Sequence, residues 1–130
     1  MILKSFVVEK DIKILNSYSA ALFYGENIGL KDELKKDIKN LYKNFEYYNF
    51  DQSDILKNKK ILEEQMNNTS LFSKNKIIFV NGISEKIKNI ILPVLEEIDK
   101  NLKIFLFSEN LEKKSSLRAN FEKNKKLAVI

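Results

Sequence analysis

The stretch Gly25-Glu26-Asn27-Ile28-Gly29-Leu30-Lys31-Asp32 follows the apolar run Ala20 to Tyr24 and places a lysine six positions after a glycine. A strand that turns through glycine into a helix carrying lysine has the layout of a phosphate-binding loop. That chemistry needs more than the lysine. In the pattern G-x-x-x-x-G-K-[ST], the second glycine lets backbone N–H groups wrap the phosphate, and the hydroxyl after the lysine ligates magnesium. Here those two positions hold Leu30 and Asp32. Leucine blocks the close approach and a carboxylate repels phosphate. Gly25, Leu30, Lys31 and Asp32 therefore read as a degenerate phosphate loop that binds no nucleotide. On the residues alone, Gly25 makes a strand-to-helix turn, and Asn27 or its neighbours cap the helix. A nucleotide hydrolase also carries acidic residues after a later strand. Instead, Ile77-Ile78-Phe79-Val80 runs into Asn81-Gly82, with no carboxylate before Glu85.

A second feature concerns binding rather than catalysis. Leu71 and Phe72 stand side by side in Asn67-Asn68-Thr69-Ser70-Leu71-Phe72-Ser73-Lys74-Asn75-Lys76, a segment that is otherwise polar. Adjacent residues on a helix end or turn point in different directions, so burying both in the chain's own core is awkward. An exposed pair with a polar rim, here Ser70, Ser73 and Lys74, suits a hydrophobic pocket on a partner. Each fully buried side chain makes about 1.5–3 kcal/mol of transfer free energy available. The alternative is a helix C-terminus whose Leu71 and Phe72 tuck beneath the sheet. Lys74 and Lys76 would face an acidic partner surface, or serve only as solvated loop lysines.

The composition removes most other chemistry. Without cysteine or histidine the chain has no disulfides, no thiolate metal site, no cysteine or serine–histidine dyad and no imidazole proton shuttle. No metal ligand set or cofactor is expected. A formal charge of +5 points toward anionic neighbours, yet of the 23 basic residues only Arg118 is arginine. Lysine screens phosphate but lacks the planar fork that reads guanine. The abundance of Lys, Asn, Ile, Phe and Tyr also resembles the bias of an AT-rich genome, an origin that a balanced genomic base composition would rule out. No signal-peptide core and no run of about 18 apolar residues occurs, so a cytoplasmic protein away from membranes is expected.

These candidates need a scaffold. Ala20 to Tyr24, Ile77 to Val80 and Ile104 to Phe107 are short, nearly continuous apolar runs, as in strands buried on both faces. Phe45 to Phe50 and Leu127 to Ile130 add two further strands. Leu30, Leu34, Ile38, Leu41, Tyr42 and Phe45 form a helical stripe. A second helix is expected from an N-cap at Ser53 through Ile55, Leu56, Ile61, Leu62 and Met66. A third starts near Ser84 and is kinked or divided at Pro93, and a fourth starts near Ser115 with Leu117 and Phe121. Residues 1–19 fit neither period and are assigned a short helix beside the first strand. Alternating strands and helices imply right-handed crossovers, and hence a three-layer α/β fold with a mostly parallel sheet and helices on both faces. Residues 1–130 read as one domain whose chain stops within an element, so a longer natural protein is expected.

Three features in order resemble the delta subunit of the bacterial DNA polymerase III clamp loader. They are Leu22-Phe23-Tyr24-Gly25-Glu26-Asn27, then Ser70-Leu71-Phe72-Ser73 followed by basic residues and Ile77-Ile78-Phe79-Val80, then Leu111-Glu112-Lys113-Lys114-Ser115-Ser116-Leu117-Arg118. The resemblance spans nearly the whole chain. It implies an amino-terminal domain similar to an AAA+ nucleotide-binding core without a working phosphate loop. It also implies that Leu71 and Phe72, at a helix tip, insert into a pocket of the β sliding clamp and stabilise an opened ring. ATP hydrolysis then belongs to partner subunits of the polymerase holoenzyme, delta prime and gamma/tau, and DNA contact is indirect. The family's lid and collar domains are absent, so this domain is expected to be a monomer by itself.

Two other readings compete. Phe45, Tyr47, Tyr48 and Phe50 near lysines would suit base stacking in a basic nucleic-acid-binding domain, although the same alternation describes a strand with one buried face. Glu26, Asp51 and Asp54 at strand ends would suit a small enzyme or receiver-like domain, although helix caps explain such carboxylates. Arg118 is assigned a structural contact near the fourth helix rather than an arginine-finger role.

Overall fold

The computed structural model describes residues 2–3, 5–25, 28–65, 75–98, 101–108, 116–123 and 127–130. After a short helix, α1 (Ser5–Lys10), and a 3-10 helix (Ile12–Ser17), the chain enters β1 (Ala20–Tyr24) and α2 (Ile28–Leu41). Then follow β2 (Glu46–Asp51), α3 (Gln52–Lys57) and a helical stretch over 61–65, here α4. β3 (Lys76–Asn81) leads through a 3-10 turn (Glu85–Ile87) into α5 (Lys88–Glu97). β4 (Leu102–Ser108), α6 (Ser116–Lys123) and β5 (Leu127–Val129) complete the order.

The strands form one sheet in the order β2-β3-β4-β1-β5, and every pairing is parallel. From β1 the chain crosses to the far edge at β2, and every later crossover runs back the other way. Because crossovers are right-handed, reversing direction moves the connecting helix to the opposite face. The result is the expected three-layer α/β arrangement. On one face lie Leu34, Ile38 and Tyr42 with Val8, Leu15 and Tyr18 from the amino-terminal segment. On the other lie Ile55, Leu62, Ile87, Ile91, Leu95, Leu117 and Phe121 from α3 to α6.

Period-two alternation divides the sheet's side chains by type. Ala20, Leu22, Ile78, Val80, Ile104 and Leu106 form an aliphatic face beneath the more heavily covered side. Phe23, Phe79, Phe105 and Phe107 form an aromatic face beneath α2 and the amino-terminal segment. Their ring centroids lie 5.0 Å apart for Phe23 and Phe107 and 6.0 Å apart for Phe79 and Phe105, within the range of favourable aromatic pairs. Lys103 adds a polar fastening on this face: its Nζ donates to the Tyr18 carbonyl at 2.7 Å, beside those of Leu15 and Asn16. Burial lowers its pKa below the ordinary lysine value.

Two expectations are corrected. The helix expected from Ser53 to Met66 is two pieces, and its N-cap is Asp51, whose backbone N–H donates to the Asp54 carboxylate at 3.0 Å. Asn58, at φ −130° and ψ 88°, ends α3; its carbonyl then accepts from Ile61 N, and its side chain accepts from Lys60 N. Met66 lies outside the described residues. Pro93 does not divide the third helix: α5 runs unbroken through it. Pro93 and Asn89, four residues earlier, are both exposed, so solvent can satisfy the carbonyl that the proline leaves without a donor. The start near Ser84 is as expected, and Ser84 caps it, its Oγ accepting from Lys86 N.

Candidate functional site at the carboxyl edge and the loop at the opposite edge

All five strands being parallel, β1, β2, β3 and β4 bring Tyr24, Asp51, Asn81 and Ser108 to one edge of the sheet. The helices leaving β1 and β4, adjacent strands, depart to opposite faces, which is where an open α/β sheet forms its ligand crevice. The degenerate loop sits there. Gly25 adopts φ +136°, a conformation that side chains with a Cβ rarely reach, and this is why glycine makes the turn. Its N–H donates to the Ser108 carbonyl at 3.1 Å.

At this edge the described polar side chains hydrogen-bond to the protein's own groups. Lys31 Nζ reaches the same Ser108 carbonyl at 2.6 Å, across 77 residues of sequence. One turn further along α2, Lys35 donates to Asn81 Oδ1 and lies 4.8 Å from the centre of the Phe107 ring. Burial lowers the Lys35 pKa, with Asp32 opposing that shift. Asn81 in turn donates to Asn49 Oδ1 at 2.9 Å and to the Phe50 carbonyl at 3.3 Å. Asn81 thus stands at the end of β3, where a hydrolase would carry a carboxylate, and serves as a hydrogen-bond hub.

Neighbouring donors are engaged in the same way. Ser108 Oγ donates to the Ile83 carbonyl at 2.8 Å, and Ile83 N donates to Phe107 O at 3.0 Å. The start of α6 is capped by Glu85, which accepts from Leu117 N at 3.1 Å and Ser116 Oγ at 3.2 Å. A carboxylate already occupies the position where a helix start would hold an anion. Of the residues read as the degenerate loop, Gly25 and Lys31 meet at Ser108, Leu30 packs against the aromatic-face core, and Asp32 is exposed on α2. The sequence marked Asn81 and Glu85 only for the missing hydrolase carboxylate, and did not mark Lys35 or Ser108. Lys35 had a local signal in its position four residues after Lys31 on one helix face.

The opposite edge carries the flanks of the second candidate. Ser70, Leu71, Phe72, Ser73 and Lys74 lie outside the described residues, as do Glu26, Asn27 and residues 111–115. Gln65 and Asn75 border that segment, and Lys76 Nζ donates to Gln65 Oε1 at 3.0 Å. Lys76 is 4% exposed and its ammonium lies 5.1 Å from the centre of the Tyr48 ring. The exit is held at the backbone, with Glu46 N donating to Asn75 O at 2.9 Å and Lys76 N to Asn101 O at 2.8 Å.

No protein-family model matches the chain, and no curated protein gives a significant match.

The aromatic residues of β2 are engaged with the fold. Tyr47 stacks on Phe79 at 6.2 Å, and its hydroxyl donates to the carbonyls of Lys39, at 2.9 Å, and Tyr42. Tyr48 and Phe50 lie parallel, and both pack against the aliphatic core. Asp51 and Asp54 form the cap of α3 already described. Arg118 lies 4.5 Å over the Tyr24 ring and pairs with Glu122 at 2.8 Å, a structural contact on α6. Among the described residues no helix is long and apolar enough to cross a membrane.

Proposed function

We propose that the chain binds a ring-shaped sliding clamp through Leu71 and Phe72 and acts as the clamp-opening module of a bacterial clamp loader in the cytoplasm, hydrolysing no nucleotide itself. The reading rests on the order of motifs that resembles the delta subunit. One observation supports it most: the turn resembling a phosphate loop is closed by Lys31 on the Ser108 carbonyl. The α/β scaffold there is a support rather than a nucleotide site. Leu71 and Phe72 belong to the segment joining α4 to β3, which meets the sheet at the other edge.

Burying one leucine and one phenylalanine supplies roughly 3–6 kcal/mol, equivalent to about 10²–10⁴ in affinity. Opening follows if the domain binds the open ring more tightly than the closed one, since a ligand shifts an equilibrium only by its differential affinity. ATP hydrolysis falls to the delta prime and gamma/tau partners, and DNA is reached through the clamp. The domain by itself is a monomer.

The test is calorimetric titration of the chain into the β sliding clamp of its own organism, beside a Leu71→Ala/Phe72→Ala variant shown by circular dichroism to be folded. Saturable binding by the parent, with loss of at least about 100-fold in the variant, is expected. Equal binding by both would move the site elsewhere, and no binding by the parent would refute the proposal for this chain.

A further inference from the structure

Pro93 weakens α5 from an exposed position in the helix interior, because it lacks the N–H that would pair with the carbonyl of Asn89. A helix otherwise offers a neighbour no main-chain acceptor along its length, since its own N–H groups occupy them. Here one is left open, and Asn89 and Pro93 both line a groove of about 390 Å³ between α4 and α5. Half-buried Ile90 and buried Val94 make an apolar floor beside the Pro93 ring. Charge divides along the groove. Both helices run from the carboxyl edge of the sheet toward its amino edge, so Lys59 and Lys60, at the entry to α4, precede Glu63 and, on α5, Glu97. All four are exposed, and among the described residues none of their side chains forms an ion pair. The helix from Asn89 to Glu97 spans about 12 Å, the length of roughly four residues of extended chain.

We infer that, independently of any clamp contact, this groove binds an extended segment of a partner protein. A main-chain N–H of the segment donates to the Asn89 carbonyl, and an apolar side chain lies on Ile90, Pro93 and Val94. An acidic residue meets Lys59 and Lys60, and a basic residue meets Glu63 and Glu97. An extended chain carries unpaired N–H groups along its whole length, whereas a helical partner has already paired its own. Glu63 and Glu97 repel a phosphate backbone, which sets nucleic acid aside as the occupant.

The test is a titration of the isotope-labelled chain, followed by its amide shifts, with two capped tetrapeptides, Asp-Leu-Val-Lys and its reverse, since either chain direction satisfies the groove. Saturable shifts confined to α4 and α5 are expected with at least one order, and an uncharged Ser-Leu-Val-Ser peptide should bind about threefold more weakly or worse. Pro93→Ala gives the Asn89 carbonyl its helical donor, so it should raise the Tm yet weaken the better peptide about fivefold. A merely structural proline would leave the affinity unchanged. Methylating the peptide's leucine and valine nitrogens should lower binding to the parent toward the level of Pro93→Ala and add nothing in that variant. Should Pro93→Ala perturb the fold, Lys59→Glu/Lys60→Glu changes only exposed side chains, and its affinity should fall about threefold or more. No saturable shifts with either order overturns the inference, as does parent-like affinity in a folded Pro93→Ala or in Lys59→Glu/Lys60→Glu. Shifts at the same amides that grow with protein concentration alone would give the groove to a second copy of the chain and overturn it equally.

Discussion

Adding magnesium and ATP to the parent chain tests whether the bonds of Lys31 and Gly25 to Ser108 keep nucleotide out of the carboxyl edge. A working phosphate loop with micromolar affinity, saturated a hundredfold above its Kd, would stabilise the fold by about 2.7 kcal/mol. For a chain of this size that raises the Tm by about 10 °C. In this structure a phosphate would first have to draw Lys31 Nζ from the Ser108 carbonyl, at 2.6 Å, and turn Gly25 N–H away from the same oxygen. A charge-assisted hydrogen bond contributes about 1.5–3 kcal/mol and a neutral one about 1 kcal/mol. Together these losses weaken a Kd of about 10 μM to the millimolar range. Scanning fluorimetry in 150 mM salt with 1 mM magnesium and ATP should then show a rise of no more than about 2 °C. Lys31→Met should cost about 1.5–3 kcal/mol, with no further penalty because the Ser108 carbonyl keeps its bond from Gly25, and should leave the ATP response unchanged. A nucleotide-dependent rise of 5 °C or more that Lys31→Met abolishes would refute the reasoning.

Tyr42, buried and donating to Asn16 Oδ1 at 2.5 Å, has its pKa pushed from 10.0 to about 12, first by burial and then by Tyr47. A raised folded pKa contributes stability that is complete below pH 10 and is lost as pH climbs toward 12, by up to roughly 2.7 kcal/mol. Tyr42→Phe should cost about 0.5–1.5 kcal/mol at pH 8 and flatten that alkaline loss. Urea unfolding at pH 8 and 11 reads both, and parallel pH dependence in the two proteins would contradict the assignment. Glu85→Ala removes the cap on α6 and should cost about 0.5–2 kcal/mol. Hydrogen exchange of residues 116–119 should quicken while β3 and β4 keep their protection, and unchanged α6 amides would show that the cap is idle.

How much was legible differs between scaffold and site. Ile77 to Val80 and Ile104 to Phe107 were readable because strands covered on both faces collect apolar residues without interruption. The same continuity hid which residue faced which layer. The division into aliphatic and aromatic faces emerges only from register, with Ile78 opposite Ile104 and Phe79 opposite Phe105. Ile55 and Leu62, seven residues apart, suit one helix as well as two, so the break at Asn58 was invisible to periodicity. Residues 71 and 72 stand out in sequence as apolar neighbours in a polar segment, whereas the bond from Lys76 to Gln65 depends on α4 returning to the head of β3.

Composition and local pattern by themselves determined the alternation of strand and helix, the absence of imidazole and thiol chemistry, and the substitutions at Leu30 and Asp32 that spoil a phosphate loop. Those properties depend on residue type and short spacing, which the chain carries without folding. Only the tertiary structure decided what Lys31 does. Its partner is a backbone carbonyl at Ser108, and a carbonyl is present at every position, so no residue type could mark it. The same holds for Lys35 with Asn81, Glu85 with the start of α6, and Lys103 with Tyr18. Each pair is brought together by parallel crossovers that collect distant strand ends and helix starts at shared edges, information that resides in topology rather than in sequence neighbourhood.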